Sequence, residues 1–358
     1  MNTNPTHTKW ITRGGIAVAV LAGAYVAAWF ATAKVVRDGT RAWLAQQQGG
    51  GLTIATGEWQ TAGFPGRIVI TVPDVVATTP VSAGGWEFRS PRVVISTAAL
   101  GFHRLTVDVA GTHTLAYGDA PRTALLIAAE DARAVIGLAW GGRLRHSTLT
   151  ATQLTVRTTQ DGAPLVRIGS GRVDAEILDT DTVPSTSPTL PPTARAEMEA
   201  RDVAMPPSVL PLDAPIARAA LTAELTGSLT PGALPQVLDV WRAGGGTVEI
   251  RSAALDWAPI RVAGSGTFAL DEKLQPTGAA SLRVQGGAEL MDGLAKAGIL
   301  SAQAASVARL GLALLMRPNA AGVQELAVPL TLQDRAVSAG PLQLGTLREI
   351  AWPPLAVP

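Results

Sequence analysis

The dominant pattern along this chain is alternation. Arg104, Thr106 and Asp108 alternate with Leu105, Val107 and Val109, and Arg172, Asp174 and Glu176 with Val173, Ala175 and Ile177. Arg195, Glu197, Glu199 and Arg201 alternate with Ala196, Met198 and Ala200, and Arg218, Thr222 and Glu224 with Ala219, Leu221, Ala223 and Leu225. Glu249 and Arg251 flank Ile250. Successive side chains of a strand point to opposite faces, so each stretch predicts a strand with one wet and one dry face. Antiparallel sheets tolerate that arrangement, whereas parallel sheets are covered on both sides. Asp161-Gly162, Gly84-Gly85, Gly264-Ser265-Gly266 and Pro276-Thr277-Gly278 are expected to turn the chain between runs. The prediction is a mainly β protein built on a long, curved antiparallel sheet.

Helical periodicity is confined to a few places. Pro231 to Ala243 carries proline in its first turn and Val237, Leu238 and Trp241 on one face, with glycines after it. Ala288 to Ala297 and Ser301 to Arg317 predict two helices joined by about three residues, the short connection of an αα-hairpin, packed on the sheet. The segment 183–215 holds prolines at 184, 188, 191, 192, 206, 207, 211 and 215, and its first part, 184–192, reads as a loop. These patterns divide the chain into 1–50, a β-rich half at 51–180, and a second β-rich half at 181–358 with the Pro-rich loop and the hairpin.

The amino-terminal end breaks the alternation. Residues 14–33 carry no charge, and Trp10, Tyr25 and Trp29 lie in or beside them. A 20-residue helix rises about 30 Å, the thickness of a bilayer core. The pattern therefore predicts a single transmembrane anchor whose helix continues to Gln48, before Gly49-Gly50-Gly51. The rival reading is a cleaved signal peptide ending near Ala31-Thr32-Ala33. Either reading exports the rest of the chain. Gly15, Ala19, Gly23, Ala27 and Ala31 form a small-residue stripe that could pair two such helices into a homo-oligomer; a chance product of an Ala/Gly-rich helix is the simpler account.

Charge sharpens this division. The 358 residues carry 29 Lys+Arg and 28 Asp+Glu, a net +1. Residues 1–50 hold five basic and one acidic side chain, so the body is mildly acidic. No basic surface suits nucleic acid. The absence of cysteine excludes disulfides, Cys-ligated zinc, iron–sulfur clusters and a Cys nucleophile.

Candidate chemistry is sparse. His7, His103, His113 and His146 show no local metal-ligand spacing and are expected at the surface or in turns. Ser170 and Ser265 sit between glycines but not in a nucleophile elbow. No phosphate-binding glycine loop is present. The expectation is no enzyme, no catalytic or metal residues and no cofactor. The dry faces are built of Ala, Val and Leu with few aromatics. Such a face fits either an open apolar groove that takes up lipid or the filled core of a sandwich.

Several landmarks follow one another along the chain: Gly63-Phe64-Pro65-Gly66-Arg67, Gly85-Trp86, Ser90-Pro91-Arg92, Asp256-Trp257, Gly266 to Asp271, Leu274 to Gly278, Leu332-Gln333-Asp334 and Gly340-Pro341-Leu342. Their order resembles the bacterial envelope family called domain of unknown function 2125. Trp257 to Leu294 also resembles the repeat ending of AsmA-type proteins. The chain departs from the family pattern at Arg335, where glycine is frequent, and at Arg348, where proline is usual. The resemblance implies an inner-membrane anchor, a periplasmic β-rich body and a lipid-handling groove. The landmarks also have a plain physical reading: Phe64-Pro65 is expected to turn the chain with an aromatic plug, Trp86 and Trp257 to cap the dry face near its ends, and Asp271 and Gly278 to shape a hairpin. The resulting expectation is a non-enzymatic protein that binds or passes lipid along an apolar sheet. The alternative is a structural envelope protein with a closed β core.

Overall fold

A computed structural model describes residues 5–48, 53–79, 85–99, 101–118, 122–139, 142–178, 190–206, 214–229, 234–296, 322–340, 342–350 and 352, with scattered positions between 301 and 319. A long helix, α1 (Pro5–Gln48), precedes two short strands, β1 (Thr53–Ala55) and β2 (Gln60–Ala62), which both pair with β3 (Arg67–Thr78). Next along the sheet comes β4 (Trp86–Ala98). β5 (Gly101–Asp108) and β6 (Gly111–Tyr117) then run end to end along β4. β7 (Thr123–Ala129) and β8 (Asp131–Leu138) return beside them and pair in turn with β9 (Leu144–Thr158). From there each strand pairs with its predecessor: β10 (Pro164–Ile177), β11 (Pro192–Ala204), β12 (Ile216–Thr226), β13 (Val248–Trp257), β14 (Ile260–Leu270) and β15 (Pro276–Gln285). β16 (Arg317–Pro318) is a short side pairing on β17 (Gln324–Gln333). β17 follows β15, and β18 (Ala336–Ala339) and β19 (Leu342–Thr346) complete the order. Every pairing is antiparallel, so the predicted antiparallel sheet is what forms.

Helix α2 (Leu234–Ala243) bridges β12 and β13. Its Trp241 is buried and donates from Nε1 to the Thr226 carbonyl at 2.7 Å. Gly246 makes room for the indole, because a Cβ there would meet Trp241 at 2.2 Å. Helix α3 (Gly287–Lys296) follows β15 and lies against β14. Its expected hairpin partner falls largely outside the described residues. Among 301–315, helical geometry is described for Gln303, Ser306, Arg309, Leu310 and Leu315, and Arg309 reaches Asp292 of α3 at 2.9 Å.

Two expected turns lie inside strands instead. Gly264-Ser265-Gly266 sits mid-strand in β14. A Cβ on Gly264 would meet the Ser281 carbonyl oxygen at 2.7 Å, and one on Gly266 the Ala279 carbonyl at 2.6 Å. These glycines therefore allow close strand approach rather than chain reversal. Pro276-Thr277-Gly278 opens β15, and the reversal lies just before it. There the Asp271 carboxylate accepts from the backbone N–H groups of Lys273 and Gln275, both at 2.8 Å. Gly278 plays no part in that turn. The hairpin between β17 and β18 places both Asp334 and Arg335 at positive φ (49° and 67°). Arg335 thus occupies a backbone well that suits glycine better.

Helix α1 docks on the first strands. Trp29, Ala33 and Val36, spaced to share one helix face, are buried with Ile68, Ile70, Val72, Ile95 and Ala99. Trp29 Nε1 donates to the Arg67 carbonyl at 2.9 Å, and the Tyr25 hydroxyl donates to the Pro65 carbonyl. Phe64 lies against Trp29 at 5.6 Å between ring centroids, yet it is 52% exposed. Its ring covers the dock from outside rather than plugging it. Gly23, Ala27 and Ala31 of the small-residue stripe face away from the sheet. Among the described residues no helix is long and apolar enough to cross a membrane. For residues 5–21 the backbone alone is described.

Candidate functional site

The strand register turns local alternation into long apolar rows. One row passes through Ile70, Ile95, Val107, Ala134, Leu149 and Val173 of successive strands. It continues through Met198, Leu221, Ala253, Gly264 and Leu282 to Val328. Strands spaced about 4.8 Å apart carry such a row of twelve positions for roughly 50 Å. A second row runs from Leu105 through Ile136, Ala196 and Ile250 to Leu330, interrupted by Ser147. A third runs from Ala132 through Ala200, Leu255 and Val262 to Leu326.

Burial along the first row is uneven. Ile70 is fully buried and Ile95 is 9% exposed, because α1 lies over them. Leu149 is 47% and Met198 45% exposed, and from Val107 onward the row is half-buried or exposed apart from Gly264. A second buried cluster closes one end of the strands. There Trp257, buried and donating from Nε1 to the Ala214 carbonyl, packs with Val203, Ile216 and Ile260. Trp257 is thus a cap, as expected; Trp86 is only half-buried.

A line of backbone irregularities crosses these strands. Asp74, Gln153 and Asp202 have φ near +50°, and Gly111 has φ +115°. Gly169 lies beside Asp202, whose Cβ stands 3.0 Å from where a Cβ on Gly169 would be. At this line the apolar alternation slips by one residue. On β10 it passes from Val166 and Ile168 to Gly171 and Val173. On β11 it passes from Met198 and Ala200 to Val203 and Met205. Val166, Ile168, Ala200, Val203, Met205 and Ala219 nevertheless pack into one cluster. The slip therefore keeps the apolar side chains on a single face. Residues of this conformation within a ladder bend the strand locally and increase its twist.

The opposite face is polar. Glu224 is 5% exposed and receives Arg195 at 2.5 Å and Arg251 at 2.7 Å. The Arg195 and then the Arg251 guanidinium hold its carboxyl below the usual range against a smaller opposing effect of burial. Glu199 is held down in the same way, first by Arg218 and also by Arg201. Asp174 accepts from Thr148 at 2.6 Å and pairs with Arg172. Arg195, Arg251 and Arg218 reach their carboxylates across neighbouring strands, where opposite charges stabilise a sheet, while Arg172 and Arg201 pair along their own strands; together these groups form no convergent catalytic pocket.

The histidines do not converge either. His103 and His146 are exposed, and the side chain of His7 lies outside the described residues. His113 departs from the surface expectation: it is 6% exposed, stacks on Phe88 at 5.7 Å and bonds through Nε2 to the Val109 carbonyl. Its position just past the bend between β5 and β6 turns it inward with Leu115. Among the described residues no cluster of three His, Asp or Glu side chains could hold a metal. Ser170 and Ser265 lie within β10 and β14 rather than at strand-to-helix turns. What sequence reading missed is the line at Asp74, Gln153 and Asp202; its signal was the one-residue slip between apolar runs.

Comparison with known proteins gives one match. The model of the bacterial family described as "uncharacterized protein conserved in bacteria", domain of unknown function 2125, matches residues 29–348. No curated protein and no solved structure matches, so the comparisons do not extend to the AsmA-type likeness. With most of its length covered, the chain belongs to this family.

Proposed function

We propose that this member of the domain of unknown function 2125 family is a non-enzymatic, membrane-anchored periplasmic protein that binds or passes lipid or a similar amphiphile along the apolar face of its sheet. The observation that carries this reading is the set of apolar rows, roughly 50 Å long and half open beyond the first strands. A monomeric soluble protein rarely leaves so large a contiguous apolar surface uncovered. The uncharged stretch 14–33 supplies the anchor in this reading. Near its end Phe30 is 62% exposed, and Phe64, in the turn before β3, is 52% exposed, aromatics suited to a bilayer interface.

The test is to extract the full chain in mild detergent and identify co-purified molecules by mass spectrometry. Lipid or another amphiphile is expected, at lower occupancy in Leu149→Asp and Met198→Asp. A chain that carries no amphiphile would overturn the proposal. It would favour the structural reading, which the two closed clusters around Trp29 and Trp257 support.

A further inference from the structure

On the side of the sheet opposite α1, four strands line an open cavity of about 640 Å³. The register explains its lining. Val69, Ser96, Thr106 and Val135 are cross-strand neighbours, and Val94, Asp108 and Arg133 form the adjoining row. Arg67 and Arg104 close its remaining side. Ile68, Ile70 and Val72, which alternate with Arg67 and Val69, point the other way into the cluster with α1.

Three arginines therefore face one depression that holds a single carboxylate, Asp108. Arg133 is 3.8 Å from Asp108 and 3.3 Å from Asp131. Arg67 donates to the Ser96 hydroxyl at 3.0 Å, and among the described residues neither it nor Arg104 has a carboxylate partner. Farther along the same polar face Arg195, Arg201, Arg218 and Arg251 are paired with carboxylates. Unbalanced guanidinium groups around hydroxyl donors and a valine floor suit an anion, and the planar fork of arginine suits the oxygens of phosphate.

We propose that this cavity is a binding site for a phosphate-class anion, with Arg67 and Arg104 as its principal ligands and Ser96 and Thr106 as hydroxyl donors. The valines allow the anion to carry apolar atoms, as a lipid headgroup with the start of its chains does. A free phosphate ester presents the same oxygens. Arg67 also ties the site to the helix, since its carbonyl holds the Trp29 indole. The site lies on the other face from the apolar rows and stands independently of them.

The experiment titrates the purified full chain by calorimetry with dioctanoyl phosphatidylglycerol, dioctanoyl phosphatidylcholine and inorganic phosphate. Phosphatidylglycerol is expected to bind at least tenfold more tightly than phosphatidylcholine. That preference is expected to weaken in high salt and to fall at least tenfold in the Arg67→Gln/Arg104→Gln variant. Arg283→Gln, an exposed arginine far along the same sheet, is expected to leave it unchanged. Phosphate binding with the same arginine dependence assigns the site to the free anion; phosphatidylglycerol binding without it assigns the site to a headgroup with its chains. Equal binding of the two lipids without arginine-dependent phosphate binding, no binding of any of the three, or affinity unaffected by the double substitution would overturn the site. Co-purified amphiphile in that same chain would still leave the apolar-face proposal standing, so the two failures are separable.

Discussion

The strands under α1 and the strands from β9 to β15 belong to one sheet and share one alternating pattern, yet they reach different ends. Under α1 the inward residues are Ile68, Ile70, Val72 and Ile95, and a helix face of Trp29, Ala33 and Val36 seals them. From β9 onward the same rows continue in Leu149, Met198, Ala196 and Ala223, half-buried or exposed. Alternation thus makes a two-faced sheet, but it does not decide whether the dry face is closed. Closure comes from an element that arrives to cover it, and α1 packs against the first strands only. The remainder draws its order from hydrogen-bonded neighbours on both sides and from cross-strand charge pairs.

That comparison can be pressed by substitution. Trp29→Ala removes a buried indole and its hydrogen bond to Arg67, and should cost about 3–5 kcal/mol in urea unfolding of the detergent-solubilised chain. Ile70→Ala at a fully buried site should cost about 2–5 kcal/mol, whereas Leu149→Ala in the same row should cost under about 1 kcal/mol. Equal losses at the two positions would mean that the open half is covered after all. Gln153→Val places a β-branched side chain at positive φ and should cost about 1–2 kcal/mol. An unchanged midpoint would mean that the strand tolerates straightening there. The smallest effect is expected from acid. Glu224 has a lowered folded pKa, so the stability it contributes is present above the ordinary carboxylate value of about 4.3. It is lost as pH falls through the lower folded value. With its two arginines about half exposed, Glu224→Gln should remove under about 1 kcal/mol and flatten the acid limb of a stability–pH curve.

Much of the strand content was legible because period two survives in short windows. The strands at Arg104, Arg172, Arg195, Arg218 and Glu249 all form, and Asp161-Gly162 turns the chain between β9 and β10. Glycine was the misleading residue. At 264 and 266 it serves strand-to-strand approach, a property of the partner backbone that no local window contains. His113 misled for a related reason: a polar residue was read as outward, while a bend just before it set its direction. The aliphatic composition of the dry face was visible in the sequence. Its continuity was not, because register across a sheet depends on every intervening hairpin. The arginine cavity was equally hidden, since Arg67, Arg104 and Arg133 meet only when β3, β5 and β8 come side by side with β4 between them.

From β9 onward the order of the strands is sequential, and this bears on how the molecule forms. Apart from the insertions at α2 and between β15 and β17, each strand of that stretch finds its partner in the segment just made, whereas β6, β8 and β9 reach back to β4, β5 and β7. Neighbouring segments meet at low entropic cost, so pairing can advance hairpin by hairpin from β9. The helix that seals the first strands is already present when β3 and β4 pair. From β9 onward the growing edge is the most recent strand, and it stays open only until the next one emerges. Pairing of this kind keeps short the time for which an unsatisfied strand edge is exposed to another chain.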